Sequence, residues 1–198
     1  MEVTLVEASP GLLLCGSCAQ EWGPLGGAQE KFGLDSRQAF WLYEGSVRRL
    51  LVQAKEMPHS AQAWALLHAM KSSMHQLTIP KGVLWTTPPP SWKRRLHAWY
   101  LPQFLALGLA QSQAQPQRQL LVRRRRVGDQ AELNGAARRA NLLEVFAGRR
   151  GLKTNQAPQR VMLFDDVSTT GATMVEAARA LRVLGVQEVH GLCVAVVP

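Results

Sequence analysis

The sequence predicts an α/β protein: a parallel sheet with helices on both faces, preceded by a small N-terminal segment that carries cysteines. Three observations lead there. Short, continuous apolar runs such as Val161-Met162-Leu163-Phe164 have the character of strands buried on both faces. Amphipathic stretches of helical period lie between those runs. The chain has 198 residues, 46% of them apolar, which is enough to build a core.

Residues 1–40 are rich in glycine and show no sustained period. Leu12, Leu13 and Leu14 lead into Cys15-Gly16-Ser17-Cys18, and Gly23-Pro24-Leu25-Gly26-Gly27 reads as a turn or linker. This segment is set apart from a main domain over residues 41–198. From Tyr43 onward, Val47, Leu50, Leu51 and Ala54 recur at helical spacing until Pro58, and Ala63, Leu67, Met70, Met74 and Leu77 form a second stripe. Residues 83–87 make a short strand halted by Pro88-Pro89-Pro90, and residues 93–110 are predicted helical despite Pro102. Leu120-Leu121-Val122 leads into four arginines. Residues 129–146 place Leu133, Ala137, Ala140 and Leu143 on one helical face. The strand from Arg160 to Phe164 is expected to end at Asp165-Asp166, the helix after Thr173 to stop at the cap glycine Gly185, and residues 189–197 to supply the last strand. The Gln-rich residues 111–119 read as a polar loop.

Lys and Arg number 23 against 14 Asp and Glu, a net charge of +9. The excess is local: residues 93–160 hold 14 basic and 3 acidic side chains. A polyanionic partner or substrate is therefore expected at the middle third. Three cysteines make no disulfide framework in a chain of this size, so a reducing, cytoplasmic setting is expected, with Cys193 a small hydrophobe in an apolar run. No apolar run approaches the roughly 18 residues of a membrane span, and the start carries Glu2 and Glu7 where a signal peptide would be basic. Membrane insertion is not expected.

The chemistry concentrates in Asp165-Asp166-Val167-Ser168-Thr169-Thr170-Gly171-Ala172-Thr173, where an apolar strand passes two carboxylates and a small-residue loop into an amphipathic helix. In a parallel sheet the loop after a strand's carboxyl end faces the ligand crevice, and the next helix offers amides and the positive end of its dipole. Thr169, Thr170 and Thr173 add hydroxyls, and Gly171 lets the backbone come close to a phosphate. Two carboxylates beside a phosphate repel it unless they meet hydrogen-bond donors or a cation, and ribose hydroxyls or Mg²⁺ satisfy that condition. An Asp pair alone would read as a turn cap; the ordered whole reads as a ribose-phosphate cradle.

This segment resembles the PRPP-binding motif of the type I phosphoribosyltransferases (PRPP, 5-phosphoribosyl 1-pyrophosphate). The wider pattern is similar to the ComF/GntX (competence protein F-like) branch of that superfamily. Tyr43-Glu44-Gly45-Ser46-Val47-Arg48-Arg49-Leu50-Leu51 with Lys55 looks like its entry helix. Leu121-Val122-Arg123-Arg124-Arg125 with Gln130, Leu133, Arg138 or Arg139, Asn141 and Phe146 is similar to a second family stretch. The resemblance covers residues 41–197 and implies a phosphoribosyltransferase-like Rossmannoid fold. It implies that Asp165 and Asp166 act on the ribose hydroxyls as the catalytic pair, and that Val167, Ser168, Thr169, Thr170, Gly171, Ala172 and Thr173 wrap the 5′-phosphate. The implied reaction is a glycosyltransferase step, phosphoribosyl transfer from PRPP with Mg²⁺ and release of pyrophosphate.

The chain departs from the family at two places. The usual Val-Pro-Val-Pro strand and Arg-Gly-Phe-Asn-Gln loop on the pyrophosphate side are replaced by Thr86-Thr87-Pro88-Pro89-Pro90 and a stretch in which Lys93, Arg94 and Arg95 are left to neutralise pyrophosphate. The N-terminal zinc ribbon of two Cys-x-x-Cys knuckles is reduced to Cys15 and Cys18, so residues 1–40 read as a degenerate zinc-ribbon-like hood, and Zn²⁺ is not expected.

A rival reading takes Lys93, Arg123, Arg124, Arg125 and Arg126, with Arg138, Arg139, Arg149, Arg150 and Lys153, as a face for single-stranded DNA. Trp92, Trp99 and Tyr100 would then stack on bases, unless Trp99 packs in the core. His68 and His75 read as structural. ComF relatives are associated with DNA uptake during natural transformation, so the resemblance implies a role beside other DNA-uptake proteins, with or without turnover of PRPP.

Overall fold

The computed structural model describes residues 5–9, 12–15, 22, 33–91, 99–124, 145–151 and 157–198. Strands β1 (Leu5–Ser9) and β2 (Leu12–Cys15) form an antiparallel hairpin. The main sheet holds β3 (Ser36–Leu42), β4 (Leu84–Thr86), β7 (Arg160–Ser168) and β8 (Glu188–Val196) in the order β3-β8-β7-β4, with every pair parallel. Strands β5 (Leu121–Arg123) and β6 (Phe146–Gly148) pair antiparallel in a separate small ladder. Helices α1 (Gly45–Glu56), α2 (Ala61–Ser73) and α3 (Leu101–Ser112) lie on one face of the main sheet, and α4 (Ala172–Val183) lies on the other. The expected α/β class, with a parallel sheet covered on both faces, is what the chain adopts.

Each face has its own core. Val47, Leu51 and Ala54 of α1, Leu66, Leu67 and Met70 of α2, and Leu105 and Leu109 of α3 meet Trp85, Met162 and Phe164 of the sheet. On the other face Met174, Ala177, Ala178 and Leu181 of α4 meet Val161, Leu163, Leu121 and Phe146. Ser60 opens α2 by accepting the Ala63 amide at 3.3 Å. Gly185 follows α4 with φ +105°, the left-handed stop its sequence position promised.

Helices α2 and α3 touch through Gly108, where an added Cβ would lie 2.6 Å from Leu67 Cδ2. Leu67 is buried and has little room to turn away. Gly108→Ala gains up to ~1 kcal/mol of helix propensity and loses about 1–3 kcal/mol to overpacking. A net loss of about 1 kcal/mol is expected by denaturant titration, opposite in sign to the usual effect of this exchange in a helix.

The structure corrects four boundaries. A strand, β3, crosses residue 40, where the sequence shows no strand period; Arg37 and Gln38 interrupt its apolar run, yet both are buried. Helix α3 begins at Leu101, not at residue 93, because Pro102 fits only the first helical turn, where its missing N–H is not needed; residues 92–98 lie outside the described residues. Strand β7 does not stop at Phe164. Pairing with β8 carries it through Asp165 to Ser168, overriding the low strand propensity of Asp. The helix expected over residues 129–146 cannot reach its end, since Phe146 is in β6; Leu133, Ala137, Ala140 and Leu143 lie outside the described residues.

Candidate functional site

The topology creates a crevice at one place. The chain leaves β4 toward α3 on one face, and leaves β7 toward α4 on the other. The carboxyl ends of β4 and β7, neighbours in the sheet, therefore diverge, which is the switch point where open α/β sheets bind ligands. Strand β4 pairs with β7 only as far as Thr86 opposite Leu163, and β7 continues for five residues. Side-chain hydrogen bonds tie the β4 side to residues 119 and 120. Thr86 Oγ1 accepts the Leu120 amide at 3.2 Å, Thr87 Oγ1 donates to Gln119 Oε1 at 3.1 Å, and Gln119 Nε2 donates back to the Thr87 carbonyl at 3.1 Å.

The other side is the segment with the acid pair. Alternation along β7 puts Val161 and Leu163 with the α4 cluster and Met162 and Phe164 with the α1–α3 cluster, so Asp165 and Asp166 project to opposite sides of the strand. Asp166 meets Lys55 of α1, its Oδ2 lying 2.9 Å from the ammonium. Each carboxylate also accepts the next amide: Asp166 N–H donates to Asp165 Oδ1 at 2.9 Å, and Val167 N–H to Asp166 Oδ1 at 2.6 Å. Both aspartates are buried. The ion pair joins the entry helix and the acid pair, two motifs about 110 residues apart.

Beyond them the chain turns into α4. Ser168 is buried, Thr169 exposed, and Gly171 takes φ +70° as the N-cap of α4. A glycine cap has no side chain of its own to occupy the amides of Thr173 and Met174 in the first turn of the helix. Thr170 Oγ1 accepts the Ala172 amide at 3.4 Å. From the far edge of the sheet, buried Arg37 donates through Nη2 to Ser168 Oγ at 2.7 Å. Thr173 is half-buried in the first turn of α4. A cleft of about 640 Å³ adjoins Lys55, bounded by Tyr43, Glu56, Trp99 and Tyr100.

Of the residues singled out in the sequence, Asp165, Asp166, Val167, Ser168, Thr169, Thr170, Gly171, Ala172 and Thr173 run without a break from the carboxyl end of β7 into the first turn of α4. Lys93, Arg94, Arg95, Arg125, Arg126, Arg138, Arg139, Asn141, Lys153, Trp92 and Cys18 lie outside the described residues. Arg123 is half-buried with its guanidinium 5.0 Å from the centre of the Phe146 ring, and Arg124 is exposed. Trp99 is in the core, its Nε1 donating to the Ala54 carbonyl at 3.1 Å and its ring against His59 and Phe104. The stacking role weighed for it is thereby corrected. His68 and His75 are exposed, and His75 Nδ1 lies 2.7 Å from the Ser72 carbonyl. Cys193 is buried beside Asp165, and burial pushes its thiol up to about 12 despite the charge of Arg37. It packs as a hydrophobe.

Arg37 escaped sequence reading because it precedes every recognisable period, and Glu176 because one acid in an amphipathic helix carries no signal. Glu176 is buried, bound by Arg179 at 2.7 and 2.8 Å, and it accepts the Phe146 amide at 3.5 Å, tying α4 to β6.

The parallel sheet, the acid pair near the carboxyl end of β7 and the Thr-Thr-Gly turn into α4 define an α/β protein covered by helices on both faces. No protein-family model matches the chain. The chain is 32% identical over 123 residues to Competence protein F of Haemophilus influenzae, covering 59% of this chain and 50% of that protein, so it spans half the relative's length. A solved structure described as the allosteric regulatory enzyme of purine biosynthesis is similar over 75% of this chain and 25% of its own, with 21% identity and a TM-score of 0.40. Among the described residues no helix is long and apolar enough to cross a membrane.

Proposed function

We propose that this ComF-like protein binds PRPP or a related ribose phosphate in the crevice between β4 and β7, and transfers the phosphoribosyl group with release of pyrophosphate. The observation that carries the reading is the Asp165–Thr173 segment standing at the topological switch point, with Lys55 paired to Asp166. In this reading the 5′-phosphate lies against Ser168, Thr169, Thr170 and the first amides of α4, and Asp165 and Asp166 meet the ribose hydroxyls. Displacement at the anomeric carbon puts negative charge on the departing pyrophosphate; Lys93, Arg94 and Arg95 follow β4 in sequence and are the cations assigned to it.

Mg²⁺ fits the acid pair by donor type, since it prefers carboxylate and phosphate oxygens. Both oxygens of Asp166 are already engaged, one by Lys55 and one by the Val167 amide. The ion would therefore be held by the ligand's phosphates with Asp165 and Asp166 at its edge, where it supplies charge neutralisation. Calorimetric titration with PRPP and Mg²⁺ tests the reading: saturable one-to-one binding is expected, and no heat at millimolar PRPP overturns it.

A second reading, a non-enzymatic single-stranded DNA-handling role beside other DNA-uptake proteins, draws on one feature. Arg124, Arg149 and Arg150 are exposed where the two chain segments of the β5–β6 ladder meet, the Arg124 amide bonding Val145 and the Arg149 amide bonding Leu120. Four to six phosphate contacts on a single strand give log K against log salt a slope of roughly −3 to −4. Neutralising Arg123, Arg124, Arg125 and Arg126 is expected to flatten that slope and lower affinity in a filter-binding titration. Absence of single-strand binding at low salt removes this reading.

A further inference from the structure

We propose that the cleft beside Lys55 is a site for a planar aromatic carboxylate, which lays its ring against Tyr43 and its carboxylate at Arg48. The site is read from its own residues, apart from the phosphate turn of residues 168–173. The cleft holds about 640 Å³, a volume suited to a small molecule, and Tyr43, Trp99 and Tyr100 make its walls largely aromatic. A second hollow of about 390 Å³, lined by Gly45, Arg48, Arg49, Val52 and Gln53, shares Val52 with the cleft.

Helix α1 sets the polarity of the pair. Arg48, Val52 and Glu56 are all exposed and recur at every fourth residue, so they form one stripe about 12 Å long. One end of that stripe is cationic, the middle apolar and the far end acidic. Helix stability explains neither charge, since a cation near the start of a helix and a carboxylate at its end both oppose the dipole. Lys55 is already paired with Asp166, and Arg49 has interactions of its own. Arg48 forms no ion pair among the described residues, although Glu44 lies one turn before it. Its guanidinium stands 5.9 Å from the centre of the Tyr43 ring.

An exposed cation needs no partner, and what gives Arg48 a ligand is its place. Tyr43 lines the cleft, so a flat ring packed beside it brings a substituent within reach of the guanidinium. The planar fork matches a carboxylate, and a single guanidinium balances a single negative charge. Glu56 lines the other end of the cleft and repels an anion there, so the carboxylate is directed toward Arg48. A cationic ring would meet Arg48 directly, and a neutral ring would leave the fork unused.

The test compares 2-naphthoate with 2-naphthamide, which share a ring system and differ in charge. Both are titrated by calorimetry against the full chain, with fold monitored by circular dichroism. Wild type is expected to bind the acid about fivefold or more tightly than the amide, and Arg48→Gln is expected to bring that ratio below about twofold with the amide unchanged. Val52→Glu, an exposed substitution between the two hollows, is expected to weaken the acid more than the amide. Tyr43→Leu is expected to weaken both by a similar factor; if it does not fold, the two surface variants decide. No binding of the acid at millimolar concentration, equal affinity for acid and amide, a preference that survives in Arg48→Gln, or unchanged affinities in Val52→Glu each overturn the inference. Ribose 5-phosphate is expected to bind wild type and Arg48→Gln equally, which keeps this site separate from the phosphate turn; a loss in the variant places Arg48 at the phosphate and overturns the inference.

Discussion

Replacing Trp99 by alanine is expected to cost about 3–5 kcal/mol of folding stability. The indole is 9% exposed, between the end of α1 and the start of α3, and its ring centre lies 4.7 Å from that of His59 and 5.2 Å from that of Phe104. Truncation removes those contacts and leaves the Ala54 carbonyl without the indole N–H that it receives at 3.1 Å. Trp99→Phe separates the two contributions, keeping a ring and losing the hydrogen bond for about 1–2 kcal/mol beyond the change in shape. Thermal and urea unfolding of the three proteins measures both differences. A Trp99→Ala protein as stable as wild type, with weaker single-strand binding, would instead return the indole to the stacking role.

Trp99 also shows where reading the sequence stops. An aromatic beside a basic cluster has the composition of a base-stacking platform and equally that of a core residue next to a solvated face; only burial separates them. The α4 end of the molecule was legible because its signals are local: an apolar strand, a Thr-Thr-Gly turn, a helical stripe and a cap glycine follow one another within 25 residues. Strand β3 was hidden because its pairing with β8 joins residues about 150 apart, and because Arg37 and Gln38 break its apolar period. The same separation hides the Arg37–Ser168 contact, although Ser168 itself stood inside the recognised loop. Asp165 and Asp166 were found as a pair, but their projection to opposite sides of β7 follows from the strand running past them, which a low strand propensity argues against. Lys55 was visible only through the family pattern; its partner Asp166 emerges from the packing of α1 on the sheet.

The acid pair itself gives the sharpest test of function. Asp165→Asn with Asp166→Asn is expected to weaken PRPP or ribose 5-phosphate at least tenfold, about 1.4 kcal/mol. Amides keep the shape and still accept hydrogen bonds through oxygen, so the neighbouring contacts from the Asp166 and Val167 amides survive while the two negative charges are lost. Ribose hydroxyls donate more strongly to carboxylates than to amides, so the loss falls on ligand binding. The single variants should differ. Asp166→Asn also releases Lys55 from its 2.9 Å ion pair and leaves the ammonium beside the cleft. A cation freed there attracts a pyrophosphate group, so PRPP should lose less affinity than ribose 5-phosphate when Asp166 alone is changed. Asp165→Asn leaves the Lys55–Asp166 ion pair in place and should weaken both ligands by the same factor. Titrating the two ligands against wild type, each single variant and the double variant reads out this pattern; unchanged affinity in the double variant would move the ribose site away from β7.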